Sequence, residues 1–293
     1  MSENLMKMKS LSEKEIIHRI KQQEPFSAVI DTAAFSIKID RYVPAVSTAI
    51  HAGHTVREEI IDKILLNESE RKYEEDPYTG NMLASFPILL QGLDSRYQYD
   101  LNRPPGECIY EQAWGKRVWS TPLTAKERKN SISLHESYYR VLNALLTVLE
   151  KQYSRCILYD LHSYNYKRLE IDAPLFNIGT NYIDRELYQP VLDHIKRHLL
   201  AAELPDIENR VAFDEVFAGK GYQASFIHEN HRESLCVPLE IKKVYMDENS
   251  GEPHPLILET LTETLEQTLS HNASYFCGKS IGQKIQPSSF STG

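Results

Sequence analysis

The sequence predicts a three-layer α/β fold, with helices packed on both faces of a mixed central sheet, and three observations carry that expectation. Apolar segments of strand length alternate with segments whose apolar residues recur at helical spacing. Several of the strand-like segments end abruptly in ionisable residues, as in open sheets whose ligands collect at the carboxyl ends of the strands. The chain has 293 residues, 41% hydrophobic and 25% charged, an ordinary globular composition able to surround one continuous core.

Leu11 to Lys21 reads as a short amphipathic helix capped by Ser12, with Glu15 three residues later closing a capping box. Pro44 to Ile50 is small, β-branched and apolar and runs straight into the polar stretch from His51 to Glu58, so a strand ending in a site loop is expected. Phe86–Leu90 and Tyr97–Leu101 read as two further strands, the second stopped by Pro104 and Pro105. Between Lys126 and Gln152 the residues Tyr138, Leu142, Leu145, Leu146 and Leu149 fall at helical spacing and mark a long helix with one buried stripe. Cys156–Tyr159 follows as a buried strand, Asp184–Leu204 as a helix, Leu235–Tyr245 as a strand and Leu256–Leu269 as a last helix. Residues 1–277 are expected to form one domain, and the polar, aperiodic residues 278–293 a flexible tail.

A net charge of −8 with no basic stripe argues against a nucleic-acid partner. No apolar run reaches the roughly 20 residues that span a bilayer, and Met1–Ser10 lacks the apolar centre of a signal peptide. A cytoplasmic location without membrane partners is therefore expected. Cys108, Cys156, Cys236 and Cys277 are scattered without a CxxC pair, which indicates neither a zinc knuckle nor a disulfide framework.

Three strand ends terminate in residues that carry chemistry. His51 is followed three positions on by His54, and a tight turn brings two such rings onto one metal; solvated or core histidines show the same spacing. In Asp160-Leu-His162 the acid holds the far ring nitrogen of the imidazole, or caps the following turn. Glu240 lies among apolar neighbours; facing a cleft it is a general base with a raised pKa, and otherwise it pairs with Lys242. Arg96 and Arg103 flank Asp100 and Asn102; a guanidinium stabilises a developing oxyanion or grips a carboxylate through two bonds. Two imidazoles, an acid and two arginines make up the parts of a zinc hydrolase acting on an anionic amide.

Six segments, in order, resemble the N-formylglutamate amidohydrolases, a family similar to zinc carboxypeptidases and aspartoacylase: His51-Ala-Gly53, Asp100-Leu-Asn-Arg-Pro-Pro105, Asp160-Leu-His-Ser163, Asn177-Ile-Gly-Thr-Asn181, Gly219-Lys-Gly-Tyr222, and Leu239-Glu-Ile241 with Tyr245-Met-Asp247. The resemblance spans roughly residues 45–270 and implies a zinc-carboxypeptidase-like α/β fold, one catalytic domain and one zinc ion. It implies His51 and His162 as zinc ligands and Glu240 as the base that activates the attacking water. Arg96 would polarise the amide carbonyl, and Asn102 and Arg103 would bind the substrate carboxylate, with Asn177 and Thr180 among the substrate contacts. The carboxypeptidase and aspartoacylase relatives carry His-x-x-Glu where this chain has His54, so His54 is the expected third ligand, with Glu58 and Asp76 in reserve. Phe217-Ala-Gly-Lys-Gly-Tyr222 departs from the family's tighter Gly-Gly-Tyr, and His228 beyond it is placed to meet the substrate or leaving group. The implied activity is hydrolysis of a small acidic N-acyl amino acid, most simply N-formyl-L-glutamate. The alternatives are a peptidase or amidase on a γ-glutamyl or related acidic bond, and a non-catalytic binding module on the same fold.

Overall fold

The structure is a computed structural model and describes residues 8–278; of the expected tail 278–293, Gly278 closes the last helix and 279–293 lie outside the described residues. Strand β1 (Lys9–Leu11) leads into helix α1 (Glu13–Gln22), closed by the expected Ser12–Glu15 capping box. Strands β2 (Phe26–Ile30), β3 (Phe35–Ile39) and β4 (Ala45–Ala49) follow, then three short helices, α2 (Glu58–Ile61), α3 (Glu68–Glu74) and α4 (Thr79–Met82). Next come β5 (Ile88–Gly92), the small hairpin β6 (Gln112–Ala113) and β7 (Lys116–Arg117), and the long helix α5 (Ala125–Tyr153). The chain ends with β8 (Cys156–Tyr164), β9 (Phe176–Ile178), α6 (Arg185–Leu200), β10 (Val211–Phe213), α7 (Tyr222–Asn230), β11 (Ser234–Lys242) and α8 (Pro255–Gly278).

Among the described residues these strands form a nine-stranded sheet of order β1-β2-β3-β5-β4-β8-β11-β9-β10. Its centre, β5-β4-β8-β11, is parallel, while β2 and β3 run antiparallel on one side and β9 runs antiparallel to β11 on the other. The sheet is therefore mixed, as expected. Helices α1 and α5 pack together over one face, and α6 and α8 over the other.

The side-chain period of two decides what faces where. On β8, Ile157, Tyr159 and Leu161 enter the core beneath α6 and α8, while Cys156 and Leu158 enter the core beneath α5. Asp160 and His162 continue the second row beyond the point where the apolar packing stops. On β11, Leu235, Val237, Leu239 and Ile241 fill the first core, which leaves Cys236, Pro238 and Glu240 on the other face. Register sets Glu240 beside His162 on one neighbour and beside Asn177 on the other. The parallel strands thus deliver their chemistry to a single carboxyl edge.

One expected strand is absent. Tyr97–Leu101 alternates correctly and is aromatic, and Tyr97, Tyr99 and Leu101 are indeed buried, yet the segment is a chain of turns. The Asp100 carboxylate accepts from the Asn102 amide at 2.7 Å, and the Arg103 amide donates to the Asp100 carbonyl at 3.1 Å, so local bonds to Asp100 replace ladder bonds. The strand expected at Phe86–Leu90 begins two residues later, because Phe86 closes a turn onto the Leu83 carbonyl.

Candidate active site

His51 lies two residues past the end of β4. Gly53 lets the loop turn there, since a Cβ at that position would lie 2.2 Å from the Leu93 carbonyl carbon. The Asp76 amide donates to the His51 carbonyl at 2.9 Å, which brings the loop after α3 to the strand end. As a result His51 Nδ1, His162 Nδ1 and Asp76 Oδ2 converge: the nitrogens are 3.2 Å apart, and they stand 3.4 and 3.1 Å from the oxygen. All three residues are buried.

The outer ring nitrogens explain the orientation. His51 Nε2 donates to Asp100 Oδ1 at 2.7 Å, and His162 Nε2 lies 3.1 Å from Asp160 Oδ2. With protons on the outer nitrogens, both inner lone pairs point at each other and at a carboxylate oxygen, an arrangement that a cation relieves. Ligand atoms about 2.0–2.2 Å from a tetrahedral zinc sit roughly 3.3–3.6 Å apart, close to the separations found here. The three donors therefore fit a divalent metal ion of the zinc type, which His51, Asp76 and His162 would hold.

The carboxylates around the cluster give it a preference for positive charge, whether proton or metal ion. Burial alone would lower the His162 pKa, but Asp160 and Asp76 more than offset it and raise it well above the ordinary imidazole range. Burial pushes Asp76 upward, and the hydrogen bonds and charges of His162 and His51 outweigh that, holding it well below the usual carboxylate range. Asp100 is likewise held low against its burial, by Arg96 and His51. Arg96 donates to it from Nε at 3.1 Å and Nη2 at 2.7 Å, and the Tyr110 hydroxyl donates as well. The Glu240 carboxyl makes no hydrogen bond among the described residues. Burial lifts its carboxyl to about 8, with His162 pulling down, Asp76 and Asp160 pushing up, and Arg96 pulling down.

His51, Asp76, Arg96, Asp160, His162 and Glu240 line a cleft of about 890 Å³ that also receives Arg103, Trp114, Phe217 and Lys220. Arg96 and Arg168 are committed to Asp100 and Glu74, whereas Arg103 and Lys220 have no ion pair among the described residues. Asn102 also lines the cleft, and its buried Oδ1 has no hydrogen-bond partner. A Cβ at Gly221 would lie 2.0 Å from Asn102 Oδ1, so any side chain there would displace the Asn102 amide.

Other expected site residues stand elsewhere. His54 turns away from the cluster: its Nδ1 is 2.5 Å from Glu75 Oε2 and its Nε2 is 3.6 Å from Glu68 Oε1, so the third donor beside His51 and His162 is Asp76. The reserve Glu58 is exposed at the start of α2. His228 is exposed at the end of α7 with its ring against Tyr182, and lines a different hollow. Asn177 does not face the cleft, because its amide is spent on the loop that does. Its Oδ1 accepts from the Glu215 and Val216 amides at 2.9 Å each, and its Nδ2 donates to the Phe217 carbonyl at 2.7 Å. Thr180 is turned to Asp214, with its amide 2.7 Å and its hydroxyl 2.5 Å from the carboxylate.

The sequence reading passed over Asp100 as the partner of His51 and over Lys243. A buried lysine three residues past Glu240 was the available signal. Its ammonium donates to the Tyr73 and Glu75 carbonyls at 2.7 Å each and so fixes the loop that carries Asp76. Burial lowers its pKa to about 8.

Imidazoles and carboxylates gathered at the carboxyl edge of the parallel strands, around a cleft that Arg103 and Lys220 also line, define a hydrolase-type centre for a small molecule. The chain belongs to the N-formylglutamate amidohydrolase family, whose profile matches residues 43–246, and it is an amide-bond hydrolase. It is similar in fold to the N-formylglutamate amidohydrolase of Ralstonia eutropha JMP134, with a TM-score of 0.68 and 19% identity over 83% of this chain and 98% of that one. A gene product of Agrobacterium tumefaciens gives a TM-score of 0.64 at 14% identity over 83% and 94% of the two chains. No curated protein sequence matches. Among the described residues no helix is long and apolar enough to cross a membrane.

Proposed function

We propose that the chain hydrolyses the amide of an N-acylated acidic amino acid, most simply N-formyl-L-glutamate to formate and glutamate, with one zinc ion held by His51, Asp76 and His162. The convergence of those three donors beside an otherwise unbonded Glu240 carries this reading. Water adds to the acyl carbon, the C–N bond breaks, and the amine departs with a proton. When bound, zinc supplies Lewis acidity, which acidifies the attacking water and draws charge from the acyl oxygen. Glu240 takes the proton from the water and hands it to the leaving nitrogen, a role suited to a carboxyl whose pKa burial has raised. Arg96, fixed by Asp100 and by the Glu74 carbonyl at 3.0 Å, presents its remaining N–H groups to the developing oxyanion. Arg103 and Lys220 supply charge for the substrate carboxylates. His54, Asn177, Thr180 and His228 have no direct part in this scheme.

The test combines elemental analysis with a panel of N-acyl amino acids. One equivalent of zinc and a preference for acidic N-acyl amino acids are expected. A chain that takes up no divalent metal, or cleaves every neutral amide in the panel faster than the acidic ones, overturns the reading.

A further inference from the structure

Trp114 lines the cleft and has no part in the scheme above. It occupies the two-residue turn of the β6–β7 hairpin with Gly115, at φ values of 48° and 76°. The left-handed region is costly for a bulky residue, and asparagine or glycine is the usual occupant of such a turn. A tryptophan held there points from a backbone outlier to a use for the side chain.

Its surroundings supply the use. The indole is 40% exposed yet held in place, edge-on to Tyr97 and Tyr110 at ring distances of 5.6 and 5.7 Å. The Arg96 guanidinium lies 4.8 Å from its centroid, and Arg96 in turn grips Asp100, the partner of His51. The ring thus stands at the cleft wall beside the arginine assigned to the acyl oxygen. Phe217, 41% exposed, adds another open ring to the same cleft. A volume of about 890 Å³ falls within the roughly 300–1,000 Å³ typical of pockets that enclose drug-sized ligands. A formyl group gives a tryptophan nothing to stack on.

We infer that Trp114 is the stacking wall of an acyl subsite, so that the chain accepts flat, apolar acyl groups of the aroyl class on the same acidic amino acid. This rests on the reading given under Proposed function. Stacking against a large aromatic ring contributes a factor of about ten in binding.

The experiment compares kcat/KM for N-formyl-L-glutamate and N-benzoyl-L-glutamate in the zinc-loaded wild type, Trp114→Ala and Trp114→Phe. Wild type is expected to cleave both. The benzoyl-to-formyl ratio is expected to fall about tenfold in Trp114→Ala and to be largely restored in Trp114→Phe. The ratio is the readout because any shift of Arg96 under a truncated indole affects both substrates alike. Titrating Glu240→Gln with N-benzoyl-L-glutamate gives a second measure: quenching of tryptophan emission, assignable to Trp114 because Trp119 is buried. Cleavage of the formyl but not the benzoyl substrate, an unchanged ratio in Trp114→Ala, or absent quenching overturns the subsite alone. Wild type that cleaves neither overturns the amidohydrolase reading and the subsite with it.

Discussion

Asp76 and His54 divide the metal question at the level of single side chains. Asp76 reaches both imidazoles, while His54 is taken by Glu75. Asp76→Ala is therefore expected to lose zinc on dialysis, and His54→Ala to retain it, as measured by elemental analysis. Glu240→Gln should keep its zinc and lose about 10²–10⁴-fold in kcat, because the amide neither accepts nor returns the water's proton. Arg103→Ala should act mainly on KM, since a carboxylate grip serves ground and transition states alike. His51, His162 and Glu240 were legible because each stands within two residues of a strand's carboxyl end, where an ionisable residue after an apolar run stands out. Asp76 lay in an acidic loop, and only the backbone bond from its own amide to the His51 carbonyl shows why it, and not His54, turns inward.

At the level of elements, the cleft depends on pieces too short to announce themselves. Strand β9 is three residues long, yet its Asn177 holds the backbone of Glu215, Val216 and Phe217. Asn177→Ala leaves those three groups unpaired, at a cost of about 1–3 kcal/mol for each one that stays buried. Faster amide exchange at 215–217 and a raised KM are expected; unchanged exchange would show that the loop is held by other means. The long helices and the central strands were legible from periodicity, down to the Ser12–Glu15 capping box. The hairpin β2–β3 and the edge strands β1 and β10 were not, because runs of three to five residues carry too little pattern to separate from loop. Tyr97–Leu101 failed for the opposite reason: its alternation is real, but Asp100 draws the backbone into turns.

Over the whole molecule, one half-buried acid outside the reaction centre sets a pH signature. Burial raises the Asp94 carboxyl to about 6, with the Tyr99 hydroxyl donating to it at 2.6 Å. An unfolded aspartate titrates near 3.9, so between roughly pH 4 and 6 the folded state binds more protons than the unfolded one, and stability falls as pH rises through that window. The loss is at most about 3 kcal/mol. Asp94→Asn removes it, so the melting temperature of the variant relative to wild type should climb from pH 4 to pH 7 and then level off. A difference that stays flat would show that Asp94 titrates normally in the folded chain.

The donors assigned to the cation are separated in the chain by 25 positions, from His51 to Asp76, and by a further 86, to His162. An unfolded chain has no means of holding them together, so an ion held by the three would bind the native state alone and act as a thermodynamic clasp on the sheet. Free zinc at one hundred times its dissociation constant then adds about 2.7 kcal/mol to the unfolding free energy. Heat and chelator should consequently act as one stress: a chelator lowers the melting temperature of the wild type and leaves that of Asp76→Ala where it was.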